Sequence, residues 1–292
     1  MDTDHFCFDC SRYCGDAHLL PFREVSRAFK AVDIAALIGS VEKSCTVTDA
    51  TIEMTEGPER NCSNWFLLVK DGRETVGWLS MDDLVLMSDD IVKDPPVPII
   101  PISVDEVVPA SMPLLDLLPV FERHYVVLAL TGNEITHVIS FQDFDKLPGH
   151  ICLFSLFAEL ELEMTTKLYE VVRSGQDPLQ WLPEARLTKA HDLYALKHPR
   201  EDPKAVRRED LVPCTNLIDK ITMITKDKSM AAGLDCGAPG SAKKLLKTVE
   251  GIRNAVAHGT SLFETIRSPE QLNNLVAQVE QMISTLSKPT PV

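Results

Sequence analysis

Arg253, Asn254 and His258 stand within one short stretch, Ile252-Arg253-Asn254-Ala255-Val256-Ala257-His258-Gly259. A guanidinium is permanently charged and can grip a phosphorane through two N–H groups at once. An imidazole changes charge near neutral pH and can carry a proton. The amide of Asn254 can orient either partner. Leu245, Val249, Ile252 and Val256 form an apolar stripe at helical spacing, and Gly259 has the character of a helix terminator. His258 therefore falls in the last turn, where the negative end of the helix dipole favours its protonated form. At about 100° per residue, Arg253 and His258 point ~140° apart and bracket the helix end. The same residue types also serve structure, Arg253 in a salt bridge and His258 as a cap.

A second pattern occurs twice. Gly77-Trp78-Leu79-Ser80-Met81-Asp82-Asp83 and His137-Val138-Ile139-Ser140-Phe141-Gln142-Asp143 each place a hydroxyl at a strand end and a carboxylate three residues on, at a helix start. A Ser there accepts from backbone N–H groups as a cap. The same groups suit a nucleotide: N–H groups and a hydroxyl favour phosphate, and a carboxylate can accept both ribose hydroxyls.

The elements that must carry these residues divide the chain in two. Thr48–Met54 reads as a short helix, Trp65–Val69 as a strand, Asp71-Gly72 as a hairpin turn, Thr75–Leu79 as the return strand and Asp82–Met87 as a helix. Asp94-Pro95-Pro96-Val97-Pro98 breaks the pattern. It then repeats: Pro113–Phe121 helical, Tyr125–Leu130 a strand, Gly132-Asn133 the turn, Ile135–Ile139 the return strand. A period of about 60 residues implies two copies of one module packed together. A helix is expected ahead of them, over Phe22–Leu37. From Phe154 onward Phe157, Leu160, Met164, Leu168 and Val171 recur at helical spacing. Further helices are expected at 184–196, 215–225, 241–257 and 269–286, a bundle without strands.

The first half, Asp49–Leu147, resembles a tandem pair of cystathionine-β-synthase-type (CBS) domains. That resemblance implies that Ser80 and Ser140 contact phosphate and that Asp83 and Asp143 hold the ribose of an adenine nucleotide, AMP, ATP or a cyclic adenylate. His137 departs from the family's Gly at its position. Residues 151–288 resemble HEPN domains, whose signature is Arg-x4–6-His with a polar residue after the Arg. That resemblance implies a metal-independent endoribonuclease with Arg253, Asn254 and His258 in its site. The ribose 2′-OH attacks the adjacent phosphate, leaving 2′,3′-cyclic phosphate and 5′-OH ends, with no cofactor for catalysis. It also implies a homodimer or dimer of dimers whose two motifs share a cleft. Thr260 stands where adenylylation-silenced relatives carry Tyr, so that silencing is not expected.

The expected architecture is thus α+β: a cysteine-containing extension and helix at 1–40, a CBS pair (Bateman-type module) at 41–150 in copies 41–92 and 97–150, and an all-α HEPN bundle at 151–292. The function read from it is a nucleotide-regulated ribonuclease. The alternatives are a non-catalytic regulator using the bundle for dimerisation or RNA binding, and a toxin controlled by a protein partner.

Charge and composition narrow the classes. Residues 1–150 carry 25 Asp+Glu and 11 Lys+Arg, and the rest carry 18 of each, so the whole net charge of −14 lies in the first half. That half repels a phosphate backbone, and an unaided polyphosphate is disfavoured there. No apolar run is long enough for a membrane span, and the N-terminus lacks a signal-like apolar segment. Eight cysteines then read as reduced cytoplasmic thiols. Cys7, Cys10, Cys14 and His18 have ligand-like types, but four in twelve residues is cramped for zinc. Arg186, Lys189, Lys197, Arg200, Lys204, Arg207 and Arg208 form a basic stretch that suits either RNA or a solvated face. One of Glu159, Glu161 and Glu163 is available to pair with Arg253.

Overall fold

A computed structural model describes residues 21–56, 65–88, 95–200, 202, 206–227, 230–231, 234 and 241–288. The chain is mixed α+β, and every strand among the described residues lies in its first half. It divides into two compact units: one of residues 27–150 with 268–273, the other of 1–26, 151–267 and 274–292. No described helix is long and apolar enough to cross a membrane.

In the first unit the elements are α2 (Ala31–Ile34), β1 (Ala36–Leu37), β2 (Gly39–Glu42), α3 (Val47–Glu56), β3 (Phe66–Asp71), β4 (Glu74–Ser80), α4 (Met81–Ser88), β5 (Val107–Pro109), α5 (Leu118–Phe121), β6 (Val126–Thr131) and β7 (Glu134–Ser140). The expected repeat has a fixed offset. Phe66 pairs with Ser80 and Val126 with Ser140, each 60 positions on. Both hairpins shift register at the same place, Val69/Lys70 and Ala129/Leu130. Both turn through a left-handed glycine, Gly72 at φ 64° and Gly132 at φ 63°, a conformation that costs a side chain energy.

Each hairpin also takes a parallel strand: β2 beside β3, β5 beside β6. These short strands were not expected, because three or four residues leave little periodicity to read. The segment leading into each copy pairs with the other copy's hairpin. β1 runs antiparallel to β7, with Leu37 opposite His137. Ile100, leading into the second copy, exchanges two backbone hydrogen bonds with Trp78 of β4, at 2.9 and 3.0 Å. The two copies are therefore stitched together from both sides.

This stitching corrects one expectation. The helix expected over Phe22–Leu37 is broken into α1 (Pro21–Ala28), α2 and the extended β1, with Ala35 at ψ 153°. Strand pairing overrides helical propensity there. Residues 36–40, expected outside the repeats, contribute to strands of both sheets. Pro113–Phe121 is likewise a 3₁₀ turn at 114–117 followed by the single turn of α5.

Alternation along the strands explains the core. Leu67, Val69 and Leu79 face α3 and α4 with Ala50, Met54 and Leu84. Leu68, Leu128 and Val138 face the other way and pack with Ile38 and Val126. Successive side chains of a strand point to opposite faces, and here both faces are buried. Phe121, Phe141 and Phe144 close the second copy, with centroids 6.0–6.1 Å apart.

The other unit is helical: α6 (Leu147–Arg173), α7 (Glu184–Lys197), α8 (Arg208–Leu211), α9 (Leu217–Lys226), α10 (Ser241–His258) and α11 (Pro269–Leu286). Leu153, Phe157, Leu160, Met164 and Leu168 of α6 are buried, as are Ile221 and Ile224 of α9 and Val279 and Ile283 of α11. On α10 the buried stripe is Leu246, Val249 and Ile252, with Leu245 and Val256 half-buried.

Two substitutions test this packing in opposite directions. A Cβ on Gly77 would strike Ile99 Cγ2 and lie 2.6 Å from the Ile100 carbonyl oxygen, part of the stitch. Gly77→Ala should lower stability by about 1–3 kcal/mol in urea unfolding. Gly251 on α10 has open space around it, so Gly251→Ala should raise stability by about 0.5–1 kcal/mol.

The position equivalent to Gly77 holds His137, whose Nδ1 lies 2.7 Å from Thr136 Oγ1. Burial lowers its pKa from 6.5, so the fold favours the neutral ring. The stability this gives is complete above pH 6.5 and is lost as pH falls through the folded pKa. Melting temperature should therefore decline on acidification below pH 6.5, and His137→Gln should flatten that decline.

Candidate functional site

The last turn of α10 is closed by a Schellman pattern. Thr260 N donates to Ala255 O at 2.9 Å, Gly259 N to Val256 O at 3.2 Å, and Gly259 sits at φ 65°. His258 is the last helical residue and is exposed. No hydrogen bond or ion pair among the described residues holds its ring.

Arg253 is held differently. Its guanidinium carbon lies 5.7 Å from the ring centroid of Phe154, within cation–π range. Its Nη2 lies 4.0 Å from Glu161 Oε2, and Nη1 donates to Asn254 Oδ1 at 3.5 Å. Phe154 and Glu161 are two turns apart on one face of α6. Of the three candidate acids, it is Glu161 that meets Arg253. Glu159 and Glu163 are buried on another face.

The other oxygen of Glu161 is committed to a residue that the sequence reading missed. Lys220 Nζ donates to Glu161 Oε1 at 2.8 Å and to the Thr215 carbonyl at 2.9 Å. The Lys220 side chain is 5% exposed, against 25% for Glu161 and 33% for Arg253. A buried ammonium must be paired, so Lys220 takes the short contact and Arg253 the long one. The available signal was a cation at an inward position of α9, between Leu217, Ile221 and Ile224. The start of α9 is fixed by a capping box, in which Asn216 Oδ1 accepts from Asp219 N at 3.0 Å. The arrangement anchors Arg253 from one side while leaving part of its guanidinium in water. His258 stands on the same helix, exposed.

The two Ser–Asp pairs form closed local structures. Ser80 N donates to Asp83 Oδ2 at 3.0 Å, Ser80 Oγ donates to the same oxygen, and Asp83 N donates to Ser80 Oγ at 3.2 Å. In the second copy Ser140 N and Oγ donate to Asp143 Oδ2 at 2.6 and 2.9 Å. These are capping contacts, the local alternative that the residue types allowed. The copies then differ. Lys146 Nζ lies 2.8 Å from Asp143 Oδ1 and donates to Ile34 O at 2.6 Å. Sixty positions earlier stands Leu86, 79% exposed. Asp143 has both oxygens engaged, whereas no cation among the described residues pairs with Asp83.

Three arginines of the basic stretch are ion-paired. Arg186 pairs with Asp219 at 3.8 Å, Arg207 with Asp210 at 3.2 Å and Glu209 at 3.4 Å, and Arg208 with Asp177 at 3.4 Å. Cys152 is buried, donates to Ser26 O at 3.1 Å, and has its thiol pushed up to about 12 by desolvation, which rules it out as a nucleophile. Cys7, Cys10, Cys14 and His18 lie outside the described residues, as does Lys204. Among the described residues no group of three or more His, Cys, Asp or Glu side chains could hold a metal ion.

No family model matches this chain, and no curated protein matches it. Among solved structures, the crystal structure of Hypoxic Response Protein I (HRPI) with two coordinated zinc ions aligns at 21% identity over 40% of this chain and 96% of that one, with a TM-score of 0.30. A superposition that low bears on neither fold nor function. The site stands on its own geometry.

The shared carboxylate is testable without any substrate. Glu161→Gln should destabilise the helical unit by about 1–3 kcal/mol, because Lys220 stays buried with a weaker acceptor. Lys220→Met should be milder, since it removes the buried charge while keeping its volume. In the double variant the two losses should fail to add, with a coupling of about 0.5–3 kcal/mol in denaturant unfolding.

Proposed function

We propose that this chain is a metal-independent endoribonuclease of the HEPN type, gated by an adenine nucleotide on a CBS pair. The observation that carries the reading is the division of labour on α10. Arg253 is held loosely between Phe154 and Glu161, while His258 is exposed and unpaired at the closed end of the same helix. A positioned, partly hydrated guanidinium suits the charge that builds on a phosphate, and an unpaired imidazole suits proton transfer. The 2′ oxygen bonds to phosphorus as its proton is taken up, and the bond to the 5′ oxygen breaks as that oxygen is protonated. The products are a 2′,3′-cyclic phosphate and a 5′-OH. One motif supplies half of such a cleft, so the active form is a C2 homodimer or a dimer of dimers.

The nucleotide is assigned to the first copy. Asp83 keeps a carboxylate oxygen for ribose hydroxyls, whereas Lys146 occupies the equivalent oxygen of Asp143. Ser80 belongs to that site, and Ser140 with Asp143 forms a clamp. A second reading, a non-catalytic regulator that uses the bundle to dimerise or bind RNA, draws support from the contacts that already satisfy Arg253.

Cleavage assays separate the two. Arg253→Ala and His258→Ala should each lower the rate by ~10²–10³ with fold and dimer intact. Asn254→Ala should be milder. EDTA should leave the rate unchanged, and RNA with 2′-deoxyribose at the cut site should resist. Activity in the Arg253/His258 double variant, or a requirement for Mg²⁺, would show that the motif is structural and overturn the proposed mechanism, and absence of cleavage by the wild type would favour the second reading. For the ligand, AMP or ATP at a hundredfold excess over Kd should stabilise the fold by ~2.7 kcal/mol. Asp83→Ala should abolish that shift and Asp143→Ala should retain it.

A further inference from the structure

We propose that the exposed face of α10 is a phosphodiester track, in which Lys243 and Lys247 lead a single-stranded RNA toward Asn254 and His258. The choice of RNA as occupant rests on the ribonuclease reading; the track itself rests on charge and helical geometry. At about 100° per residue, Lys243, Lys247, Asn254 and His258 fall within ~60° of one another around the helix. All four are exposed. At about 1.5 Å per residue, the stripe runs ~22 Å from Lys243 to His258, enough to contact several consecutive phosphates.

Its lysines lack the ion pairs that hold Arg186, Arg207 and Arg208. Among the described residues no carboxylate pairs with Lys243, Lys244 or Lys247. Lys244 flanks the stripe on one side; on the other Glu250 borders it, ~20° from Lys243, with Arg253 beyond. Glu250 is the sole acid of α10, set against Lys243, Lys244, Lys247 and Arg253. The helix therefore has a local excess of positive charge in a half whose total is zero. Such an excess, ending at a group that can move a proton, fits a polyanion whose reacting phosphate must stop at His258. The lysines would then position substrate, and the reacting group stays on the motif.

The track can be read without cleavage. Fluorescence anisotropy of the full chain with a labelled single-stranded oligonucleotide of 2′-deoxyribose has no 2′-OH to react. The slope of log K against log salt should fall by ~0.7 for each lysine lost. Lys243→Gln with Lys247→Gln should therefore lower it by ~1.4 and weaken binding at low salt. Glu250→Gln should tighten binding. Lys189→Gln with Lys226→Gln, an equal charge change elsewhere on the bundle, should leave the slope as in wild type. Wild-type affinity and slope in the Lys243/Lys247 variant would overturn the track even where RNA is cleaved. Equal loss in the Lys189/Lys226 variant would overturn it too, as would equal competition by an acidic peptide. Binding that follows the track while ribose RNA stays intact would retain the inference and remove the ribonuclease reading. No binding at 50 mM salt would overturn both.

Discussion

A lysine ammonium inside a helix bundle has to find a carboxylate, and around Lys220 that requirement organises the site. Desolvation makes an unpaired ammonium costly, so Glu161 is drawn into a 2.8 Å contact with it. Glu161 cannot then turn toward water. Its second oxygen is left facing α10, where it meets Arg253 at 4.0 Å. Because Lys220 already satisfies part of the carboxylate charge, the hold on Arg253 is loose. A tight bidentate pair would fix the guanidinium more firmly but would also occupy the N–H groups that a phosphate needs. The buried lysine thus sets both the position of Arg253 and its residual capacity to bind an anion.

The repeat unit obeys a different constraint. Neither hairpin has its own complete sheet, since each accepts a strand or bridge from the segment leading into the other. A two-stranded hairpin is marginal by itself, and the exchange makes each copy depend on its neighbour. It also explains why Gly77 and His137 differ at equivalent positions. The Ile100 backbone lies against Gly77 and leaves no space for a Cβ, whereas β1 pairs with β7 in register and accommodates a side chain. The same asymmetry extends to the Ser–Asp boxes. Lys146 ties Asp143 to the carbonyl of Ile34 beside β1, while Leu86 gives Asp83 no such tie. The same local geometry is a clamp in one copy and an open acceptor in the other.

Much of this was legible in the sequence, and for identifiable reasons. The hairpins declared themselves through Asp71-Gly72 and Gly132-Asn133, and α11 through its long apolar period, because those signals are local. The strands β1, β2 and β5 were not legible, since their existence depends on partners 30 or more residues away for β1 and on a parallel neighbour for the others. The helix over Phe22–Leu37 failed for the same reason: pairing with β7 outweighs the propensity of Ala36 and Leu37. At the candidate site the motif residues were visible by type and spacing. The choice among Glu159, Glu161 and Glu163 was not, because helical phase assigns faces without saying which neighbour each face meets. Lys220 was missed because its meaning comes from burial, which a cation in a sequence does not announce.

Charge is where sequence totals mislead most. Residues 151–292 sum to zero, which by itself predicts indifference to nucleic acid. The sum conceals two populations. The arginines of α7 and α8 are spent on Asp177, Glu209, Asp210 and Asp219, whereas no carboxylate among the described residues pairs with Lys243, Lys244 or Lys247 on α10. In about 0.1 M salt a charge is felt over ~10 Å, far less than the length of the chain's charge pattern. A phosphate beside α10 therefore responds to that helix rather than to the chain's net charge of −14. An acidic protein can in this way keep a polyanion surface, provided the cations there are left unpaired and lie along one face. On α10 that face ends at His258, so the proposed polyanion surface and the proposed proton-transfer group are set by one helical phase.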